Sequence, residues 1–319
     1  MPIHARTRTL VGVLFYAALA AFLLRYLRGV DWQQLTHLEF RVGLLILAAP
    51  FALATRLMQP LAWGTLIRGY GDKLPSYPEL TLVYAKSWLG RYVPGKVAWV
   101  GGKVLFGSKY GIRSVVLAAT SVIEAGIQTI TALALALLLF AVTGATAALG
   151  AGMRAIALAA FVVVTIALLP PVFNRIVALA YTKLLRRPAP PPDVRVTYST
   201  LATSILLYLV IHALSAPPLY LLIKAVYAPF PLVDLPYVTA AFLLAGTVGT
   251  LALFAPSGLG VREGVLLVLL GIRMPSEVTI IVVVFLRIWS IALDLLYYGL
   301  AEVLVRACPR LDAEPSSIR

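Results

Sequence analysis

An all-α polytopic membrane protein is the fold class this sequence predicts, with about six full transmembrane helices and two re-entrant helical hairpins arranged as an inverted repeat. Three observations carry that expectation. Hydrophobic residues make up 61% of the 319 positions and charged residues 13%, where a soluble domain carries about 25% charge. Uncharged stretches long enough to cross a bilayer recur at residues 125–153, 155–174, 196–223 and 235–261. Two interrupted, charged segments also look alike: Gly90-Arg91-Tyr92-Val93-Pro94-Gly95 and Ala255-Pro256-Ser257-Gly258-Leu259-Gly260-Val261-Arg262-Glu263-Gly264. Each is followed by a long apolar helix carrying an isolated charge. Glu124 lies 30 residues after Pro94, and Arg287 lies 31 after Pro256.

The elements follow in order. Residues 10–27 read as an uncleaved first transmembrane helix, because Arg6 and Arg8 precede it, Arg25 and Arg28 follow it, and no small-residue cleavage site ends it. A second helix spans 42–67 and contains Pro50, Arg56 and Pro60. Residues 77–107 are only moderately apolar and break at Pro94-Gly95. Long helices at 113–142 and 154–172 flank a Gly/Ala-rich turn. Residues 174–197 hold five cations against Asp193, plus the prolines 188–192, and read as a cytoplasmic loop with a stiff spacer. A helix at 199–226 bends at Pro217-Pro218, segments 235–254 and 259–271 flank the second break, and a last helix covers 277–305.

Charge bias constrains the breaks. With the N-terminus and the 174–197 loop both cytoplasmic, four full crossings separate them, so 77–107 returns to its own side as a hairpin within a first repeat, 42–143. In the second repeat, 198–306, two readings stay open. Either 235–254 spans fully, or 235–271 is a second hairpin entered from outside, which returns the basic C-terminus to the cytoplasm and is preferred. Backbone broken at membrane depth must be buried in protein or line a wet cavity, and half-helix N-termini there can cradle an anion.

Ionisable residues in apolar helices are functional candidates. Arg56, Glu124, Arg287 and Asp294 are four of them, and Arg287 and Asp294, seven apart, share a helix face. A Glu124–Arg287 ion pair locking the halves together competes with a substrate or proton site. Arg91 and Lys96 at the first break, and Arg262 and Glu263 at the second, complete the candidate substrate-binding set. Pro94, Gly95, Pro256, Gly258 and Gly260 are the expected hairpin breaks. Lys86, Lys103 and Lys109, interleaved with Tyr84, Trp88 and Trp99, fit interfacial anchoring in part. His212 reads as a locally hydrogen-bonded histidine.

The net charge of +14 is accounted for by cytoplasmic loops and anionic lipid, so no nucleic-acid partner is expected. A single cysteine, Cys308, forms no intrachain disulfide, and no nucleotide loop or metalloprotease motif occurs. No cofactor and no metal are expected.

The segments Arg91-Tyr92-Val93-Pro94-Gly95, Ser121-Val122-Ile123-Glu124 and Pro256-Ser257-Gly258-Leu259-Gly260-Val261-Arg262-Glu263, in this order and spacing, resemble the lysylphosphatidylglycerol synthase transmembrane-region, or flippase-like, family over about residues 10–306. The resemblance implies a helical domain of a prokaryotic inner membrane that moves or handles lipids: phospholipid, aminoacylated lipid or isoprenoid-linked lipid. Members that make aminoacylated lipid carry a soluble transferase domain after the membrane part. The sequence reaches Arg319 without one, so translocation without synthesis is the expectation. The other readings are a headgroup enzyme using Glu124 or Glu263 as base, and a non-transporting partner of a glycosyltransferase or lipid-synthesis complex. A homo-oligomer is compatible with each.

Overall fold

The computed structural model describes residues 40–92, 98–143, 151–183, 196–252, 255 and 258–308. The first helix expected at 10–27 lies outside them, as do Pro94, Gly95, Lys96 and Pro256. All regular structure among the described residues is helical: α1 (Val42–Gly69), α2 (Tyr77–Leu89), α3 (Ala98–Gly107), α4 (Ser114–Val142), α5 (Ala151–Ile166), α6 (Pro170–Lys183), α7 (Tyr198–Leu214), α8 (Ala216–Val226), α9 (Leu235–Leu251), α10 (Val261–Leu270) and α11 (Ser276–Ala307). Among the described residues, five segments are long and apolar enough to cross a membrane, and a sixth qualifies if α5 and α6 count as one broken span.

Local chemistry explains the boundaries. Both the backbone amide and the hydroxyl of Ser76 donate to Glu79 Oε2, at 3.0 and 2.9 Å, so α2 starts at a capped N-terminus with Pro78 in its first turn. Gly111, at φ +80°, turns the chain after α3. Asp72 then receives the Arg113 backbone amide and Nε at 2.9 and 2.7 Å, tying the end of α1 to the start of α4. Pro50 and Pro60 lie inside α1 without ending it. Pro217 and Pro218 occupy the first turn of α8, where a missing amide costs nothing.

Two sequence expectations are corrected here. The helix expected at 154–172 bends by 81° between Ile166 and Pro170, because Pro170 and Pro171 start a new helix there and provide no amides to continue the old one. The loop expected from Asn174 is helical to Lys183. Its far end returns to the same asparagine, whose side chain pairs with the Val196 backbone at 3.1 and 3.3 Å. Residues 232–251 reach the length and hydropathy of a span, so a full crossing there is sterically available beside the preferred hairpin.

Packing is reciprocal between the two halves. Helices α2 and α3 pack on each other, as do α9 and α10, and α2 also packs on α11 while α9 packs on α4. Thus each helix pair leans on the long helix that follows the other pair. Small residues permit the close approach: a Cβ on Gly102 would stand 3.0 Å from Ser87 Cα, and one on Gly258 would stand 2.9 Å from Gly249 Cα. Large apolar side chains such as Ile46, Val163 and Leu295 are exposed, which suits a hydrocarbon solvent, while the charged side chains of Lys103, Glu124 and Asp294 are buried.

Candidate functional site: a guanidinium-lined cavity between the helix pairs

Between the two helix pairs lies a cavity of about 320 Å³, at the lower end of the roughly 300–1,000 Å³ of small-molecule sites. Its polar wall is built by Arg56 and Gln59 of α1, Trp88 of α2, Arg91, Arg262 of α10 and Trp289 of α11. Leu219, Leu222, Phe242, Leu243 and Leu293 are among the apolar residues of the lining, with further polar groups such as Gln128, His212 and Ser290 between them. The site is therefore amphiphilic.

Asp294 of α11 organises the polar wall. Its Oδ1 accepts Arg56 Nε at 3.0 Å, Arg56 Nη2 at 2.9 Å and Trp88 Nε1 at 3.2 Å. Its Oδ2 accepts Tyr92 Oη at 2.7 Å and Arg91 Nη2 at 2.9 Å. The carboxylate is 1% exposed; five donors make its ionised form tolerable at that depth. Trp88 in turn carries both cations on its ring face, with Arg91 Cζ at 4.6 Å and Arg56 Cζ at 5.4 Å from the centroid. One anion thus serves two guanidiniums.

The second break contributes differently. Gly258 and Gly260 have φ of +66° and +82°, a left-handed backbone that glycine adopts without strain. Glu263, three residues into α10, accepts the Gly260 amide at 2.7 Å and faces Arg287 Nη1 at 3.4 Å. Glu263 thus takes one of the amides at the N-terminus of α10. Arg262 lies over the Phe242 ring at 4.7 Å. Among the described residues no carboxylate comes within 4.0 Å of its guanidinium.

A second ion pair sits one layer back. Lys103 Nζ contacts Glu124 Oε2, and both side chains are 1% exposed. Glu124 Oε1 accepts the hydroxyls of Tyr84 and Tyr208 at 2.9 and 2.8 Å. The ammonium is enclosed by the rings of Tyr84, Trp63 and Trp99, at 4.1, 4.2 and 5.1 Å. Tyr84 also lines the cavity, so it separates the two charge clusters.

Of the seven candidate binding residues, Arg91 and Arg262 reach the cavity wall, while Asp294, Glu263 and Arg287 stand immediately behind it. Glu124 and Arg287, paired in one reading of the sequence, have other partners, Lys103 and Glu263. The shared helix face of Arg287 and Asp294 is used: Tyr92 bridges them, with its hydroxyl on Asp294 and Arg287 Cζ 5.8 Å from its ring. His212 bonds across helices to Thr131 at 3.1 Å and lines the cavity. Lys103, read as part of an interfacial cluster, is fully buried. Gln59 and Trp289 had no place in the sequence reading, although a glutamine and an indole in apolar helices are signals of the same kind as the charges.

Four wall residues carry a buried polar atom without a hydrogen-bond partner among the described residues: Gln59 Oε1, Arg91 Nε, Thr247 Oγ1 and Trp289 Nε1. Such groups cost about 1–3 kcal/mol each, and a polar ligand or water in the cavity recovers that.

Fold and site together define a polytopic helical integral membrane protein with an amphiphilic cavity between its helices. The chain belongs to the family described as Lysylphosphatidylglycerol synthase TM region, which matches residues 9–297, and its role is accordingly tied to membrane lipid. No curated protein and no solved structure matches it.

Proposed function

We propose that this protein is a lipid translocase that moves an amphiphile with a phosphate-bearing headgroup between bilayer leaflets through the central cavity. One observation carries the reading. The cavity lining brings three guanidiniums, Arg56, Arg91 and Arg262, together with aliphatic and aromatic side chains. Guanidinium forks match phosphate oxygens, and a volume near 320 Å³ takes a headgroup while the tails stay in lipid. In this reading the α2–α3 and α9–α10 pairs are re-entrant hairpins of an inverted repeat. Alternating access is rocking of one pair and its long helix against the other, and the termini face the cytoplasm of a prokaryotic inner membrane.

The reading is tested with purified protein in liposomes of defined lipids, following leaflet distribution and lipid mass in the same samples. Faster exchange with unchanged mass is the expected result. A new lipid mass would make the protein a headgroup enzyme. Neither change across phospholipid, aminoacylated and polyprenyl-phosphate lipids would leave a partner of a lipid-synthesis complex as the surviving reading.

A further inference from the structure

The cavity's charge is not balanced, and the imbalance selects among headgroups. Arg56 and Arg91 share one carboxylate, Asp294. Arg287 faces Glu263. Arg262, on the wall, has an aromatic ring and no carboxylate within 4.0 Å among the described residues. Among the described residues, four guanidiniums therefore face two carboxylates around one chamber, a surplus of two positive charges. The Lys103–Glu124 pair behind Tyr84 is neutral as a unit and leaves that surplus unchanged.

Uncompensated charge buried among apolar helices is costly, and a ligand that neutralises it is bound in proportion. We infer that the preferred headgroup ends in a phosphomonoester or diphosphate, carrying about two or more negative charges, rather than in a phosphodiester, a zwitterion or an aminoacyl group. This rests on the translocase reading of the same cavity. A phosphomonoester carries about −1.5 to −2 near neutral pH and offers three terminal oxygens to the three wall guanidiniums. A phosphodiester offers two such oxygens and a single charge. Lysyl esterification of a phosphatidylglycerol adds two ammonium groups, which the arginines repel. The aminoacylated lipid suggested by the family's description is thus the headgroup this wall fits worst.

The test keeps the tails constant. Purified protein is titrated at about pH 8, above the second phosphate pKa near 6, with four dioleoyl lipids: phosphatidic acid, diacylglycerol diphosphate, phosphatidylglycerol and lysyl-phosphatidylglycerol. Binding is read from tryptophan fluorescence, since Trp88, Trp99 and Trp289 line the cavity, and leaflet exchange is followed separately in liposomes. Phosphatidic acid and the diphosphate should bind at least about tenfold more tightly than phosphatidylglycerol, with lysyl-phosphatidylglycerol weakest. Equal or tighter binding of either of the last two, or no binding of phosphatidic acid and the diphosphate, would overturn the inference. Binding in the expected order without leaflet exchange of any lipid would uphold the headgroup class and remove the translocase reading instead. Arg262→Gln should shrink the preference for phosphatidic acid over phosphatidylglycerol several-fold, and Arg262→Lys should keep it. An Arg262→Lys variant that loses the preference while melting like wild type would refute the charge argument.

Discussion

Lys103 and Glu124, 21 residues apart on adjacent helices, form an ion pair that neither lipid nor the cavity reaches. Three aromatic rings surround the ammonium, and two tyrosine hydroxyls fill the second carboxylate oxygen. The arrangement locks α2, α3, α4 and α7 together around one charge pair.

Removing one partner should therefore strand the other. Glu124→Gln and Lys103→Met, each alone, should destabilise the protein by about 3–5 kcal/mol, while the double variant recovers most of the loss. Thermal unfolding in detergent measures this. Single variants that melt with the wild type would mean that the pair contributes nothing structural.

Asp294 neutralises two arginines at once, so Asp294→Asn leaves both without a carboxylate. Stability should fall by about 2–5 kcal/mol. Added inorganic phosphate should raise the melting temperature of this variant more than that of the wild type. An equal response in both proteins would argue that the stranded guanidiniums do not take an anion.

Arg91 lies on the cavity wall and Arg287 behind it, which ranks them functionally. Arg91→Ala should reduce lipid exchange at least about tenfold, equivalent to about 1.4 kcal/mol. Arg287→Ala should have the smaller effect, because Glu263 keeps the Gly260 amide as a partner. Exchange rates of both variants in liposomes decide it, and wild-type rates for Arg91→Ala would remove this residue from the site.

At the second break, Gly258 has a left-handed φ of +66° and faces Gly249 at a distance that no side chain fits. Gly258→Ala should cost about 1–3 kcal/mol. Gly264→Ala, in α10 with nothing within 4 Å of its added methyl, should be neutral or stabilising by up to about 1 kcal/mol. Paired melting curves of the two variants check the contrast.

Much of the fold was legible because hydropathy and length are summed along the chain. The helices at 42–69, 114–142 and 276–307 stand within a few residues of where composition placed them. The intramembrane charges Arg56, Glu124, Arg287 and Asp294 were equally visible, since a charge in an apolar run stands out against its neighbours. The bend at 167–169 was less so, because its cause, Pro170-Pro171, lies in an apolar run long enough to read as one crossing.

What the sequence by itself determined is the solvent, the helical architecture, the family and which residues are out of place in hydrocarbon. Only the tertiary structure decided their partners. Glu124 meets Lys103 rather than Arg287, Glu263 meets Arg287 and the Gly260 amide, and Asp294 serves two arginines from distant segments. The reason is geometric. Partition into lipid depends on each segment's own composition, whereas an ion pair forms where two helix faces meet within 4 Å, and that is set by packing between segments far apart in the chain. The surplus charge in the cavity belongs to this second kind of information, because it exists only once the pairs have been assigned.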